Sequence, residues 1–493
     1  MAVAERAADL NPAFRTEAFI DGAFVPAASG RTFSAVNPAN GKVLAEVAAC
    51  DAQDVDRAVK AARRAFEDRR WAGLRPLDRK RTLQRFAELI RANREELALT
   101  ETLNMGKPIS DARAIDARAA ADCFAYYGEC ADKVYGEVAP TTLENLALIL
   151  REAIGVVGAV VPWNFPMIMA AWKVAPALAM GNSVVLKPAE ESPLTALRLA
   201  ELAQEAGIPD GVFNVVPGLG TEAGKALGLH MDVDAIAFTG STEVGRYFMR
   251  YSADSNLKRV YLELGGKTAF VVAHDVSDLD AVAEAVAGGI FFNQGEMCTA
   301  ASRLLVDNRI RADLVARVAA LAPRWMPADP LDPSAPAGAV VSREHQQRIL
   351  KAIDGGLKEG ARLVAGGTAV REDSGGAFVA PTVFDDVAPS SSLAQQEIFG
   401  PVLSVIGFDG LDEAVEIANG TVYGLGASVW SADLGAAHKV ARRFKAGVVY
   451  VNCFDADDIT TPFGGVKQSG FGRDKSLHAL EKYSDLKTVW TRL

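Results

Sequence analysis

Cysteine is scarce in this chain. Cys50, Cys123, Cys130, Cys298 and Cys453 are odd in number and far apart in 493 residues. Such usage implies no disulfide framework and fits a reducing, cytoplasmic setting. Histidine is equally scarce: His230, His274, His345, His438 and His478 form no cluster with the cysteines at metal-ligand spacing. No metal is expected. Positive charge is in deficit, with 52 Lys and Arg against 62 Asp and Glu, a net charge of −10. That sign argues against nucleic acid and anionic membrane as partners, since both attract basic surfaces. The opening "MAVAERAADLNPAFRTEAFIDG" lacks the basic start and apolar run of a secretory leader, so none is expected. There is no solenoid repeat, no low-complexity tract and no GxGxxG.

An uninterrupted membrane span is also missing. Ala153 to Trp172, "AIGVVGAVVPWNFPMIMAAW", runs for 20 residues without a charge, the length of a spanning helix. Pro162 and Pro166 in its middle, with Asn164 between them, break that reading, because two prolines four apart do not both lie comfortably in a helix interior. The run reads instead as a buried strand, "GVVGAVV", a loop, "PWNFP", and a helix from about Met167.

What is present is alternation. The length predicts two or three domains. The first part pairs a strand-like "EAFIDGAFVPA" with amphipathic helices. "DAQDVDRAVKAARRAF" places Val55, Val59, Ala62 and Phe66 on one face, and "LDRKRTLQRFAELIRANREELALTETLNMGK" extends the pattern. From Gly155 onward strands and helices alternate with short loops, the mark of doubly wound parallel sheets. A second alternating set follows Cys298. Two α/β domains in series are expected, with Cys298 early in the second. "GEVAPTTLENLALILREA" reads as an inserted hairpin and "EKYSDLKTVWTRL" as a terminal strand. Extended pieces left over from compact domains commonly add edges to a neighbouring subunit.

Several residues are candidates for chemistry. Cys298 in "FFNQGEMCTA" reads either as a small buried hydrophobe or as a nucleophile. Glu263 in "LELGGK" ends an apolar strand, where burial raises a carboxyl toward the range of a useful base; the alternative is a pair with Lys267. Asn164 in "PWNFP" is either a turn residue or an amide donor aimed at an oxyanion. In "LKPAEES", Lys187 and Glu190 follow a strand, as ribose-binding residues do, or form a solvated charge cluster. Gly240 and Ser241 in "FTGSTEVG" sit at a strand-to-helix turn whose backbone N–H groups suit a pyrophosphate. "PGLGTEAG" reads as a loop.

Taken together, "PWNFP", "LKPAE", "FTGSTEVG", "LELGGK", "FFNQGEMCTA", "QEIFGPV" and "TPFGGVKQSGFGR" resemble the NAD(P)-dependent aldehyde dehydrogenase superfamily in order and spacing, over nearly the whole chain. The likeness extends to bacterial γ-glutamyl-γ-aminobutyraldehyde and 4-guanidinobutyraldehyde dehydrogenases through the tail "GRDKSLHALEKYSDLKT".

The resemblance implies two doubly wound Rossmann-like α/β domains plus a small β oligomerisation element. Residues 1–130 and 154–264 would form the NAD-binding domain, 265–463 the catalytic domain, and 131–153 with 464–493 the oligomerisation element of a homodimer or homotetramer. It implies Cys298 as nucleophile, Asn164 and the Cys298 N–H as oxyanion hole, Glu263 as the base that activates water, and Lys173 with Asp474 as a proton-relay pair. The family often has Glu at the latter position, and Asp is shorter. Trp163, Lys187, Glu190, Gly240, Ser241, Leu264, Glu397 and Phe399 match cofactor-holding positions. A carboxylate at Glu190 favours NAD over NADP, because a 2′-phosphate would meet like charge.

Phe165, Met169, Trp172 and Phe463 are expected as apolar walls of the substrate tunnel, with Met297 and Thr299 facing the substrate. The loop "CFDADDIT" carries Asp455, Asp457 and Asp458. It reads as a solvated acidic loop or as an anionic rim, with Asp457 foremost, that selects a cationic ω-group. An amino-, γ-glutamylamino- or guanidinobutyraldehyde is the expected substrate. The alternatives are a general aliphatic or aromatic aldehyde and a CoA-acylating reaction. CoA-acylating relatives usually lack the activating glutamate, so Glu263 disfavours the last. A cysteine hydrolase without redox chemistry, or a non-catalytic protein on this fold, remains the contrast from other classes.

Overall fold

The structure, a computed structural model, describes residues 13–493. The reading of the first 22 residues as lacking a leader falls in part on residues 1–12, outside the described residues.

Two large sheets organise the chain. Five strands of the first run parallel in the order Arg259–Glu263, Ala235–Thr239, Val156–Val160, Ser183–Lys187 and Phe213–Val215. Each is apolar and almost wholly buried, as strands covered on both faces must be. From Val156–Val160 the chain first builds outward on one side, then crosses back to build on the other. This reversal makes a crevice at the carboxyl ends of the strands, where open α/β sheets bind ligands. "PWNFP", "LKPAE", "TGS" and "LGGK" all follow those ends.

The second sheet has seven strands. Six are parallel: Thr382–Asp385, Val402–Phe408, Arg303–Asp307, Ala269–Val272, Gly426–Trp430 and Val448–Val451. Arg362–Ala365 closes one edge antiparallel. The chain leaves the first sheet at Glu263 and enters the second at Ala269.

A third sheet joins the hairpin strands Glu137–Ala139 and Asn145–Ala153 to the terminal strand Ser484–Arg492, paired antiparallel from Ser484↔Ala153 to Arg492↔Asn145. Residues 464–493 do not all go there. Gly470–Phe471 pairs with the strand Arg259–Glu263 and caps the first sheet. The opening strands Ala18–Ile20 and Ala23–Val25 cap its other edge.

Local signals act as expected in the helix Ala52–Glu67. Asp51 accepts the Gln53 N–H at 2.8 Å, and Asp54 returns a bond to the Asp51 N–H at 3.1 Å. Val55, Val59 and Ala62 are buried. The long amphipathic stretch after it is two helices, Pro76–Ala92 and Arg94–Met105. Asn93 breaks it by donating its side-chain amide to the Leu89 carbonyl at 2.8 Å, a local bond that competes with the helix ladder. The uncharged run resolves into the strand Val156–Val160 and the helix Pro166–Ala179. No helix among the described residues is long and apolar enough to cross a membrane.

Candidate active site

One continuous cavity of about 1270 Å³ lies between the two large sheets. It exceeds the roughly 300–1,000 Å³ of a pocket for one small molecule, so it has room for two ligands. Every site residue named from the sequence lines it except Lys173, Asp474 and, in the acidic loop, Asp458.

Cys298 is delivered by a turn that few sequences can make. The helix Leu279–Phe291 ends, and Asn293, Gln294 and Gly295 follow with φ of 48°, 57° and 70°. Left-handed backbone in succession is costly for residues with a Cβ and persists only where surroundings over-determine it. Here the Gln294 side chain accepts the Gly338 N–H at 2.9 Å, and Glu296 accepts that of Val341 at 2.9 Å. A Cβ on Gly295 would lie 2.3 Å from the Gly400 backbone. The turn is therefore locked against its neighbours.

Asn164 is tied to the same turn. Its side-chain amide donates to the Glu296 backbone carbonyl at 2.9 Å, and its backbone carbonyl accepts from the Asn293 side-chain amide at 3.3 Å. An asparagine amide has two N–H groups, so one is left for an oxygen bound at Cys298.

Glu263 closes the first sheet. It is 4 % exposed, and neither carboxylate oxygen has a partner. The pairing with Lys267 is not made; that ammonium is also without a hydrogen-bond partner. Burial pushes the Glu263 carboxyl well above its usual range and Asp474 adds to the push, while Lys173, Lys482 and Arg473 oppose it. Lys173 and Asp474 form a buried ion pair beside it.

The two glycines after Glu263 explain "LELGGK". A Cβ on Gly265 would fall 2.0 Å from the Glu397 carboxylate, and one on Gly266 would fall 2.4 Å from the Cys298 carbonyl. Only glycine lets these segments meet. The Cys298 thiol is raised by burial first, then by Glu397, Glu263 and Asp455.

The other part of the cavity suits a dinucleotide. Lys187 and Glu190 pair at 2.8 Å. Burial works to raise the Glu190 carboxyl, and Lys187 outweighs it, holding the group below its ordinary value. Glu190 also accepts the Gly220 N–H at 3.3 Å, so "PGLGTEAG" is more than a loop: it reaches the site and continues as helical turns to Leu229. Gly240 and Ser241 stand at the start of the helix Thr242–Ala253, where Ser241 accepts the Val244 N–H at 3.2 Å. The Thr239 hydroxyl, buried at the same wall, has no partner.

Trp163 and Phe399 meet edge to face, with ring centroids 5.2 Å apart. Phe399 has φ of 59°, and its carbonyl is held by His345 Nε2 at 2.7 Å. Burial pulls His345 down to about 4, so the neutral ring donates this bond. Glu397 accepts the Gly266 N–H at 2.9 Å, and burial raises it to about 7. Leu264 is buried beside Gly245.

Phe165, Met169, Trp172, Met297, Thr299 and Phe463 line the remaining wall, with Trp172 and Phe463 at 5.1 Å. Sequence reasoning missed Ile115, Tyr450, Arg348 and Lys351, which also line the cavity. Tyr450 lies in the strand Val448–Val451, where alternation alone marks it as sheet. The acidic trio is divided. Asp458 accepts from Thr460 at 2.8 Å and is not a lining residue. Asp457 lines the cavity, but its charge is paired with Lys475. Asp455 lines it with no ion pair among the described residues.

The family profile described as "Aldehyde dehydrogenase family" matches residues 24–489. An aminoacetaldehyde dehydrogenase of Pseudomonas aeruginosa is 52% identical over 96% of this chain and 95% of its own. The crystal structure of a γ-glutamyl-γ-aminobutyraldehyde dehydrogenase from Burkholderia cenocepacia superposes with a TM-score of 0.97 at 56% identity, covering 99% of this chain and 98% of that one. An indole-3-acetaldehyde dehydrogenase of P. syringae in complex with NAD+ and IAA superposes with a TM-score of 0.97 at 52% identity, over 99% and 98% of the two chains.

The close approach at Gly266 gives a direct check. Gly266→Ala is expected to keep the fold, with thermal unfolding within a few degrees of the wild type, and to lower turnover about 100-fold, because misplacing a reacting group by about 1 Å costs that much.

Proposed function

The chain belongs to the aldehyde dehydrogenase family and is an NAD-dependent aldehyde dehydrogenase, and we propose that it oxidises an ω-amino, γ-glutamylamino or guanidino butyraldehyde to the acid. The observation that carries the reaction is the convergence of Cys298, Asn164 and the partnerless Glu263 on one cavity. The names of the P. aeruginosa and B. cenocepacia relatives support the substrate class. A neutral aromatic aldehyde is the second reading, favoured by the P. syringae relative and by Trp172, Phe463 and Phe165 at the wall.

Lys187 and Glu190 fit a ribose, the Gly240–Ser241 turn a pyrophosphate, and the anionic Glu190 disfavours a 2′-phosphate. When bound there, NAD supplies the hydride acceptor. The Cys298 sulfur adds to the aldehyde carbon, and its thiol proton passes to water in the open cavity. The resulting oxyanion is met by the free N–H of Asn164 and the backbone N–H of Cys298. After oxidation the acyl group is held on Cys298 as a thioester. Glu263 takes a proton from the water that opens it, and Lys173 with Asp474 offers a route for that proton away from the site. Covalent capture divides one difficult oxidation into two manageable steps.

Asp455 is the carboxylate in this reading that meets a cationic ω-group, since Asp457 is already balanced by Lys475. The third sheet is proposed as a contact between copies of the chain. Its strands present Val138, Leu486, Val489 and Trp490 to solvent, Trp490 at 61% exposure. A side-by-side second copy would cover them.

Three outcomes are expected. Wild type forms NADH from aldehyde without CoA, Cys298→Ala forms none, and Glu263→Gln gives one burst of about one NADH per site, then turnover at least roughly 100-fold slower. Turnover that requires CoA would overturn the hydrolytic reading. By kcat/KM, 4-aminobutyraldehyde outperforms hexanal; Asp455→Asn narrows that gap about tenfold, close to 1.4 kcal/mol, and Asp457→Asn narrows it less. Equal preference in the wild type would sink the cationic-substrate reading. Light scattering gives the mass of a dimer or tetramer, and Leu486→Glu with Trp490→Glu lowers it.

A further inference from the structure

Behind Glu263 lies a third charged group that the reaction above does not use. Lys482 sits in the turn Leu477–Tyr483, just before the terminal strand, and is 3% exposed. Its ammonium donates to one oxygen of Asp474, while Lys173 donates to the other. All three side chains are buried. The result is a buried lysine–aspartate–lysine triad.

Burying a second ammonium is expensive unless its charge is matched. Asp474 can balance only one of the two lysines. The remaining positive charge has a counterpart in Glu263, the buried carboxylate with no hydrogen-bond partner. With every member ionised, the four groups are together neutral.

We propose that Lys482 is a positioning residue for the base: it supplies the charge that lets Glu263 stand as a carboxylate although it is almost fully buried, by offsetting the repulsion from Asp474. This rests on the reading of Glu263 as the base and adds to it the group that sets its ionisation.

The surroundings agree. Facing Glu263 are Asp474, which disfavours its charge, Lys173, Lys482 and Arg473, which favour it, and the Cys298 thiol. Around the Lys482 ammonium stand the Tyr483 and Tyr261 rings, at 5.4 and 6.0 Å to their centroids. Burial draws the Lys482 ammonium below its ordinary value, against the pull of Asp474. Burial works to raise Asp474, and the two lysines together hold it low.

The test is the pH profile of the steady rate after the NADH burst, on the full chain with saturating NAD and propanal, an uncharged aldehyde that leaves the acidic rim out of play. Lys482→Met removes a positive charge, so Glu263 holds its proton to higher pH. The acid-side midpoint is expected to rise by about one unit or more, the usual effect of one close charge, while the burst rate stays. Lys482→Arg keeps the wild-type midpoint. Asp474→Asn in the Lys482→Met background restores neutrality and brings the midpoint back.

Should Lys482→Met alone not fold, adding it to Asp474→Asn must still raise that variant's midpoint. A merely structural lysine would change stability and leave these midpoints in place, which would overturn the proposal. Glu263→Gln, run in parallel, separates the two readings. If it keeps its post-burst turnover, the base assignment falls and this proposal with it. If it is inactive while the Lys482→Met midpoint is unmoved, the inference about Lys482 alone falls.

Discussion

The rest of the site depends on the close approach between Gly265–Gly266 and the segments that carry Cys298 and Glu397. The chain passes from one sheet to the other in the few residues between Glu263 and Ala269. Because those residues include two glycines, the backbone of the second sheet comes within contact of the first. Glu263 is thereby fixed relative to Cys298 through a backbone contact at Gly266, and relative to Glu397 through its carboxylate against Gly265 and the Gly266 N–H, the spacing that the proposed reaction needs. Two densely packed layers then make the spacing hard to deform.

Around that contact the two sheets contribute differently. The first presents the carboxyl ends of its strands, where a reversal of strand order opens a crevice. The second contributes segments that lead into its strands: Cys298 before Arg303–Asp307, and Glu397 with Phe399 before Val402–Phe408. Both segments carry left-handed residues, Asn293, Gln294 and Phe399. Strain is concentrated where the chemistry needs an unusual direction of the chain, and the buried hydrogen bonds of Gln294, Glu296 and His345 hold it there.

Much of this was legible in the sequence for a physical reason. Buried parallel strands are short apolar runs, and helices between them are amphipathic, so alternation from Gly155 onward predicts the sheets. "PWNFP" and "LELGGK" are local signals, and both lie at strand ends. What was not legible is long-range. Nothing near Asp457 says that Lys475 neutralises it, and nothing near Asp455 says that it stays free. Lys482 meets Lys173 only through a carboxylate that folding brings between them. The edge strands Ala18–Val25 and Gly470–Phe471 are too short to carry a period, and the break at Asn93 depends on one side-chain bond that competes with a helix.

The central claim is that Cys298, Asn164 and Glu263 act as one unit that makes and then opens a thioester. The most direct measurement is mass spectrometry of Glu263→Gln after incubation with NAD and 4-aminobutyraldehyde. The account predicts an added acyl mass confined to the peptide that contains Cys298, and none in the Cys298→Ala chain. An unmodified Cys298 peptide in a variant that still forms its burst of NADH would contradict it.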